Sequence, residues 1–447
     1  MEPEKPSLRK VLGVSDGVAL LVGITIGAGI YSTPQIIAGY LGSFSSIIIL
    51  WILVGVLAVI GGLIYAELGT RLPHTGGEYI YISYSFGPFA GFIFGWAQLF
   101  IIRTSTAAGL AIITADYLGY FVNLNGFARI AVALFVLAVL GILNIVGVQR
   151  ASAFQKLTTF LKISGLFTLA IAGFILVQSH ENLLATQAVP IGKLGPVGNL
   201  AAALMLVVFS HIGWDRVGYV AGEMKNPRRV VPLSMFIGIG GVVLVYLLTN
   251  LVYHRTLGME GVRGSTILAS DVATKLVGPI GASFVALLVM ISTTGSINGT
   301  MMASSRVYYA MARDGLFFKW LDFIHPKFRT PSRAVFAHCL WASVIILVRQ
   351  KFETIAAGMV FAVLIFYSLT TIALFKLRRN EVGGKDVYRL PFYPALPVLY
   401  LVGLLSLLVL RGIFEWQKSL ADLAFIATGL PFSLIWLRRA RKKVNLS

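Results

Sequence analysis

Two short stretches of this chain place glycine beside polar or small residues inside otherwise apolar sequence. The first reads Gly23-Ile24-Thr25-Ile26-Gly27-Ala28-Gly29, with Pro34 following; the second reads Phe209-Ser210-His211-Ile212-Gly213-Trp214-Asp215. Glycine lets a backbone leave helical geometry. A helix broken in this way presents free N–H groups at the head of its following half, where the dipole favours a carboxylate. It also frees carbonyls at the end of the preceding half, which can hold an ammonium. One break therefore offers both poles that a zwitterion needs. Close helix packing through small residues is the competing reading of the first stretch taken alone. The second stretch shifts the weight, because Ser210, His211 and Asp215 are polar groups in an apolar setting, costly to keep there without a task. For His211 a satisfied core histidine stays open, and for Asp215 a structural pair with its neighbour Arg216.

Lys162, flanked by Thr158 and Thr159, lies about six residues inside an apolar run, too deep to snorkel out, and is expected to face a polar interior. Arg103 poses the same question, with bracing of helices as the alternative. Ser292 and Ser296 stand four residues apart, one helical turn. The stretch Arg71-Leu72-Pro73-His74-Thr75-Gly76-Gly77-Glu78-Tyr79 breaks a helix; it reads either as a plain connector or as a short re-entrant or surface helix. Glycine-rich phosphate loops, metal-ligand clusters and nucleophile triads are missing, and the six histidines are scattered. Nothing in these spacings supports an enzyme, a metal or a cofactor.

The elements that carry these residues are set by composition. Of 447 residues, 57% are hydrophobic and 12% charged, about half the charged share of a soluble protein. A lipid bilayer accommodates such a chain. The net charge of +19 does not point to nucleic acid, since the basic residues sit in short stretches between apolar runs. A membrane helix needs about 20 apolar residues. Windows of that kind fall at 14–40, 44–66, 87–116, 128–146, 157–178, 197–221, 232–254, 277–302, 331–349, 354–376, 392–412 and 419–437. Counting alternate loops puts about 25 Lys and Arg on the side of the termini and about 9 opposite, so both termini are expected in the cytoplasm. The single cysteine, Cys339, lies within an apolar run and excludes an intrachain disulfide.

The interrupted segments are the first and the sixth, five apart. A five-helix repeat starting at each would invert the second copy, and paired interruptions of this kind point to a transporter site. The expected organisation is a cytoplasmic N-terminus (1–13), a first repeat (14–178), an inverted second repeat (197–376), two extra spans (392–437) and a basic cytoplasmic tail (438–447).

Four stretches in order resemble the L-type amino-acid transporter family of the amino acid–polyamine–organocation superfamily: Ile26-Gly27-Ala28-Gly29-Ile30-Tyr31; Pro73 to Tyr79 followed by Phe86-Gly87-Pro88; Glu223-Met224-Lys225-Asn226-Pro227-Arg228-Arg229; and Gly295-Ser296-Ile297-Asn298-Gly299 running into Ser304-Ser305-Arg306. The resemblance implies an all-α membrane fold of about twelve helices, a five-plus-five inverted repeat of leucine-transporter type. It also implies roles. Backbone N–H groups of Ala28 and Gly29 would take a substrate carboxylate, and carbonyls of Thr25, Phe209 and Ile212 an ammonium, with Ser210 and Gly213 in the same wall. Phe209 would close over the substrate as a gate, and Trp214, which matches the family's tryptophan below it, would be the second gate residue. Lys162, with Ser292 and Ser296, would occupy the place of a sodium ion.

This sequence departs from the family in places. Ala28 stands for a common serine and Asp215 for a usual asparagine. Ile212 is apolar where relatives with dibasic substrates carry an acid. The loop from Tyr117 to Arg129 lacks the cysteine that links animal relatives to a heavy chain, so no such partner is expected. The combined expectation is a sodium-independent exchanger of neutral amino acids in the cell (inner) membrane. The rivals are a proton-coupled symporter, in which Lys162 or Asp215 titrates, a receptor without flux, and a channel.

Overall fold

A computed structural model of the protein describes residues 8–177, 192, 194–349, 359–384 and 386–444. Residues 1–7 of the expected N-terminal segment, 178 at the end of the first repeat, the start of the expected span 354–376, and 445–447 of the tail lie outside the described residues.

The α-helices are α1 (Val14–Thr25), α2 (Gly29–Ser32), α3 (Pro34–Tyr40), α4 (Phe44–Arg71), α5 (Glu78–Phe86), α6 (Pro88–Ala97), α7 (Arg103–Leu118), α8 (Gly126–Val146), α9 (Val148–Leu176), α10 (Gly195–His211), α11 (Pro227–Gly264), α12 (Leu268–Val277), α13 (Pro279–Arg313), α14 (Ser332–Arg349), α15 (Met359–Arg379), α16 (Ala395–Phe414), α17 (Trp416–Ala427) and α18 (Gly429–Val444). A π-helical turn, Gln98–Ile102, joins α6 to α7, and a 3-10 stretch, Trp214–Glu223, follows α10. Among the described residues, eleven helical segments are long and apolar enough to cross a membrane, and a shorter apolar helix, Ser332–Val348, makes the twelfth. These match the twelve windows of the sequence.

Both interruptions are present. Helical geometry stops at Thr25 and resumes at Gly29, and it stops again at His211 before the 3-10 stretch opens at Trp214. Several bounds move. The expected helix at 157–178 begins at Val148, and the one at 277–302 runs on to Arg313. In both, a polar extension buries its side chains against protein: Ser152 and Gln155 in α9, Ser304, Ser305 and Arg306 in α13. A hydropathy window cannot see such turns. The last span is not one helix but two, divided at Thr428. The segment after α4 is more than a connector, since α5 buries Glu78, Tyr79, Tyr81 and Ile82.

The packing pairs the second span with the seventh (α4 on α11), the third with the eighth (α7 on α13) and the fourth with the ninth (α8 on α14). In the expected division into two five-helix repeats these would be corresponding members. α1 packs against α9, α11 and α13, so the first break lies at the centre of the bundle.

Candidate functional site

The two breaks face each other. Gly213 has φ +139°, a conformation glycine adopts at little cost, and a Cβ placed there would lie 3.0 Å from the N and Cα of Thr25. A Cβ on Gly29 would meet Ser210, 3.0 Å from its Cα. The glycines thus let the backbones of the two broken spans approach each other twice. Tyr246 of α11 fastens them, its hydroxyl lying 2.8 Å from both the Thr25 and the Ser210 carbonyl oxygens. Ser210 adds a hydroxyl contact to Thr33 at 3.0 Å.

Between the breaks is a cavity of about 60 Å³. Its wall includes Thr25, Gly27, Ala28, Gly29, Phe209, Ser210, Ile212 and Ser296, with Ile24, Ser105, Thr106, Leu110, Arg216 and Thr300. Phe209 is partly buried. The N–H groups heading α2 are those that a helix start leaves without intrahelical acceptors. The Thr25 carbonyl accepts from the Gly27 N–H at 2.9 Å and shares the one Tyr246 hydroxyl proton with the Ser210 carbonyl. The Phe209 carbonyl accepts from the Ile212 N–H at 3.2 Å, which leaves it one lone pair.

Lys162 lies beside this cavity, with no exposed surface. Its Nζ donates to the carbonyls of Gly23 at 2.8 Å, Ile26 at 2.9 Å and Ser292 at 2.9 Å, and approaches Ser296 Oγ at 3.4 Å. The Ser292 hydroxyl donates to Ile26 O at 2.9 Å and the Ser296 hydroxyl to Gly23 O at 2.8 Å. The lysine therefore joins α1, α9 and α13 at the broken turn, and it meets the carbonyl of Ser292 rather than its hydroxyl.

Asp215 does not pair with Arg216. Its Oδ2 accepts from Arg103 Nη2 at 2.7 Å and its Oδ1 from the Tyr367 hydroxyl at 2.8 Å. Residues 215 and 216 are neighbours in a tight 3-10 turn, so their side chains leave the axis in different directions. Arg103 is the brace the sequence allowed, also reaching the Tyr219 hydroxyl at 3.2 Å. Glu78 joins the network, accepting from the hydroxyls of Tyr65 at 2.5 Å and Tyr219. Trp214 does not line the cavity. It packs with Tyr65 and Tyr367, ring centres 4.9 and 5.1 Å away. His211 is a core histidine on one side only: Nδ1 meets the Val207 carbonyl at 2.9 Å while Nε2 has no partner.

Two spans, each broken once, around a central cavity in a bundle of twelve narrow the comparison to membrane carriers. The family model described as amino acid permease matches residues 12–424. The chain belongs to the amino acid permease family. The permease is 30% identical to the serine/threonine exchanger SteT of Bacillus subtilis (strain 168), over 96% of this chain and 98% of that protein. It is 28% identical to b(0,+)-type amino acid transporter 1 of Homo sapiens (100% and 93% covered). Asc-type amino acid transporter 1 of Mus musculus is 30% identical (96% and 81%). The resemblance drawn from the four motifs holds. The permease is a multi-pass membrane transporter and not an enzyme.

Sequence reasoning missed Tyr246, Ser105, Thr106 and Thr300. A tyrosine in an apolar span reads as core, and hydroxyls spaced along a span carry no pattern. Toward the end of the bundle that holds the start of α1, ion pairs tie the elements together. Glu223 and Arg306 form a buried two-point ion pair at 2.6 and 3.0 Å, and the N–H groups of Val11 and Leu12 donate to the Glu223 carbonyl. Glu67 holds Arg378 at 2.7 and 2.6 Å and Arg71 at 2.8 Å.

Proposed function

We infer that the permease exchanges amino acids across the cell membrane without sodium, by alternating access around the paired breaks. The carrying observation is the Lys162 ammonium, whose three hydrogens meet the Gly23 and Ile26 carbonyls at the broken turn and the Ser292 carbonyl of α13. A covalently attached cation there takes the place a coupling sodium would need. It cannot travel with substrate, so it provides no ion gradient to drive net uptake and leaves exchange as the mode.

In this reading the α-carboxylate binds the N–H groups of Ala28 and Gly29. The ammonium binds the free lone pairs of the Phe209 and Ile212 carbonyls, with Thr25, Ser210 and Gly213 completing the wall. The Phe209 ring closes the outer side and Trp214 backs the site from its aromatic cluster. Ile212 offers no acid to a cationic side chain, which would lose hydration for nothing, so side chains without positive charge are preferred. Residues 14–178 and 197–376 act as the two repeats, with the termini in the cytoplasm. The permease works without a disulfide-linked heavy chain: its lone Cys339 points into the bundle, 3.9 Å from the Met301 sulfur.

Competition binding on purified protein tests the recognition. Amino acids should displace a labelled amino acid, whereas putrescine, which lacks the carboxylate, should not; strong displacement by putrescine would refute the zwitterion site. Phe209→Ala should cut transport roughly tenfold or more while expression holds, as loss of occlusion exposes the site to water.

A further inference from the structure

Arg216 lines the substrate cavity at 1% exposure. Among the described residues its side chain makes no hydrogen bond and no ion pair, and its Nε is buried without a partner. The acids that stand nearest in the fold are committed elsewhere. Asp215 is held by Arg103 and Tyr367. Glu78 is held by Tyr65 and Tyr219, with Arg103 at 3.9 Å, and Glu223 by Arg306. Thr300 Oγ1 is a second buried, unpartnered group, and Thr300 lines the same cavity.

A buried guanidinium whose N–H groups bond no carboxylate, and whose adjacent acid Asp215 already pairs with Arg103, is unfavourable, and more so within a bilayer. Water in the cavity would satisfy its N–H groups but not its charge. Arginine has donors only, in a fork that matches a carboxylate. The cavity is also where a substrate's side chain must lie once its head group occupies the two breaks. We propose that the permease accepts amino acids whose side chain ends in a carboxylate, and that Arg216 binds that carboxylate with the Thr300 hydroxyl beside it. The proposal rests on the amino-acid site described above and adds a side-chain class to it. Neutral side chains still fit beside Ile212, and cationic ones meet a like charge.

The test compares acids with their amides of nearly equal shape, glutamate against glutamine and aspartate against asparagine, by direct binding to purified wild-type protein. The acid should bind roughly tenfold tighter or more, the scale of a charge-assisted contact. In Arg216→Gln the acid-to-amide ratio should fall to one or below. The ratio is taken within one protein, so a reduced folded fraction cancels; should that variant not fold, the wild-type ratio decides alone. Amides binding as well as acids in wild type, or a ratio unchanged in Arg216→Gln, would overturn the proposal. So would chloride-dependent binding of neutral amino acids without acid preference, which assigns Arg216 to an inorganic anion. If no amino acid binds at all, the amino-acid site itself fails and takes this proposal with it.

Discussion

At the scale of single residues, the permease turns on two buried cations that the protein treats differently. Lys162 has an acceptor for each of its hydrogens. Lys162→Ala removes three charge-assisted hydrogen bonds, leaving Gly23 O and Ile26 O only the hydroxyls of Ser296 and Ser292, and should lower transport at least roughly tenfold. Uptake per folded molecule in proteoliposomes measures it; near-normal uptake would remove the lysine from the mechanism. Arg103 is paired with Asp215. Asp215→Asn should destabilise by about 3–5 kcal/mol, since it strands a buried charge, whereas the double variant Arg103→Leu, Asp215→Leu should lose less than either single change. Thermal unfolding of detergent-purified variants decides this, and a double variant less stable than both singles would contradict it. Lys162 was legible in the sequence because a lysine deep in an apolar run has few explanations. The Arg103 pairing was not, because its partner lies 112 positions away and Asp215 has a basic neighbour that looks like the obvious choice.

At the scale of elements, the site is the junction of two interrupted helices. Both interruptions could be read because the two glycine-and-polar stretches lie five spans apart; glycine and polar residues alone do not break a helix, as α13 shows by running unbroken through Gly295, Ser296, Asn298 and Gly299. What holds the junction together could not be read. Tyr246 looks like any aromatic of an apolar span until the fold brings Thr25 and Ser210 to its hydroxyl. Tyr246→Phe should therefore weaken amino-acid binding by roughly threefold to thirtyfold, the worth of one or two hydrogen bonds; unchanged affinity would show that the clamp is dispensable. Gly213→Ala is the harsher change. It asks alanine to adopt φ +139° with its Cβ 3.0 Å from the first span's backbone, so binding should be lost even in protein that folds. A Gly213→Ala variant that binds normally would mean that the two breaks need not touch. Helix bounds failed where polar turns are buried by protein rather than lipid, as in α9 and α13.

At the scale of the whole molecule, α4 packs on α11, α7 on α13 and α8 on α14, and the ion pairs Glu223–Arg306 and Glu67–Arg378 lie at one end of the bundle. Alternating access would break those pairs when the site opens to that side, so Glu223→Gln should shift the population toward opening there, read as increased labelling of a cysteine introduced in that pathway. Twelve spans and their order were legible because bilayer thickness fixes helix length; the pairing of helices was legible only through the spacing of the two breaks. The account stands or falls on the claim that the first, fifth and eighth spans are joined by a resident lysine rather than by a travelling ion. Uptake of labelled amino acid into proteoliposomes, loaded with amino acid or empty, in sodium or choline buffer, measures this directly. The account predicts equal uptake in both buffers, and uptake only into loaded vesicles. Dependence on sodium would contradict it, as would sodium-independent uptake into empty vesicles driven by a pH gradient, which would make the permease a proton symporter.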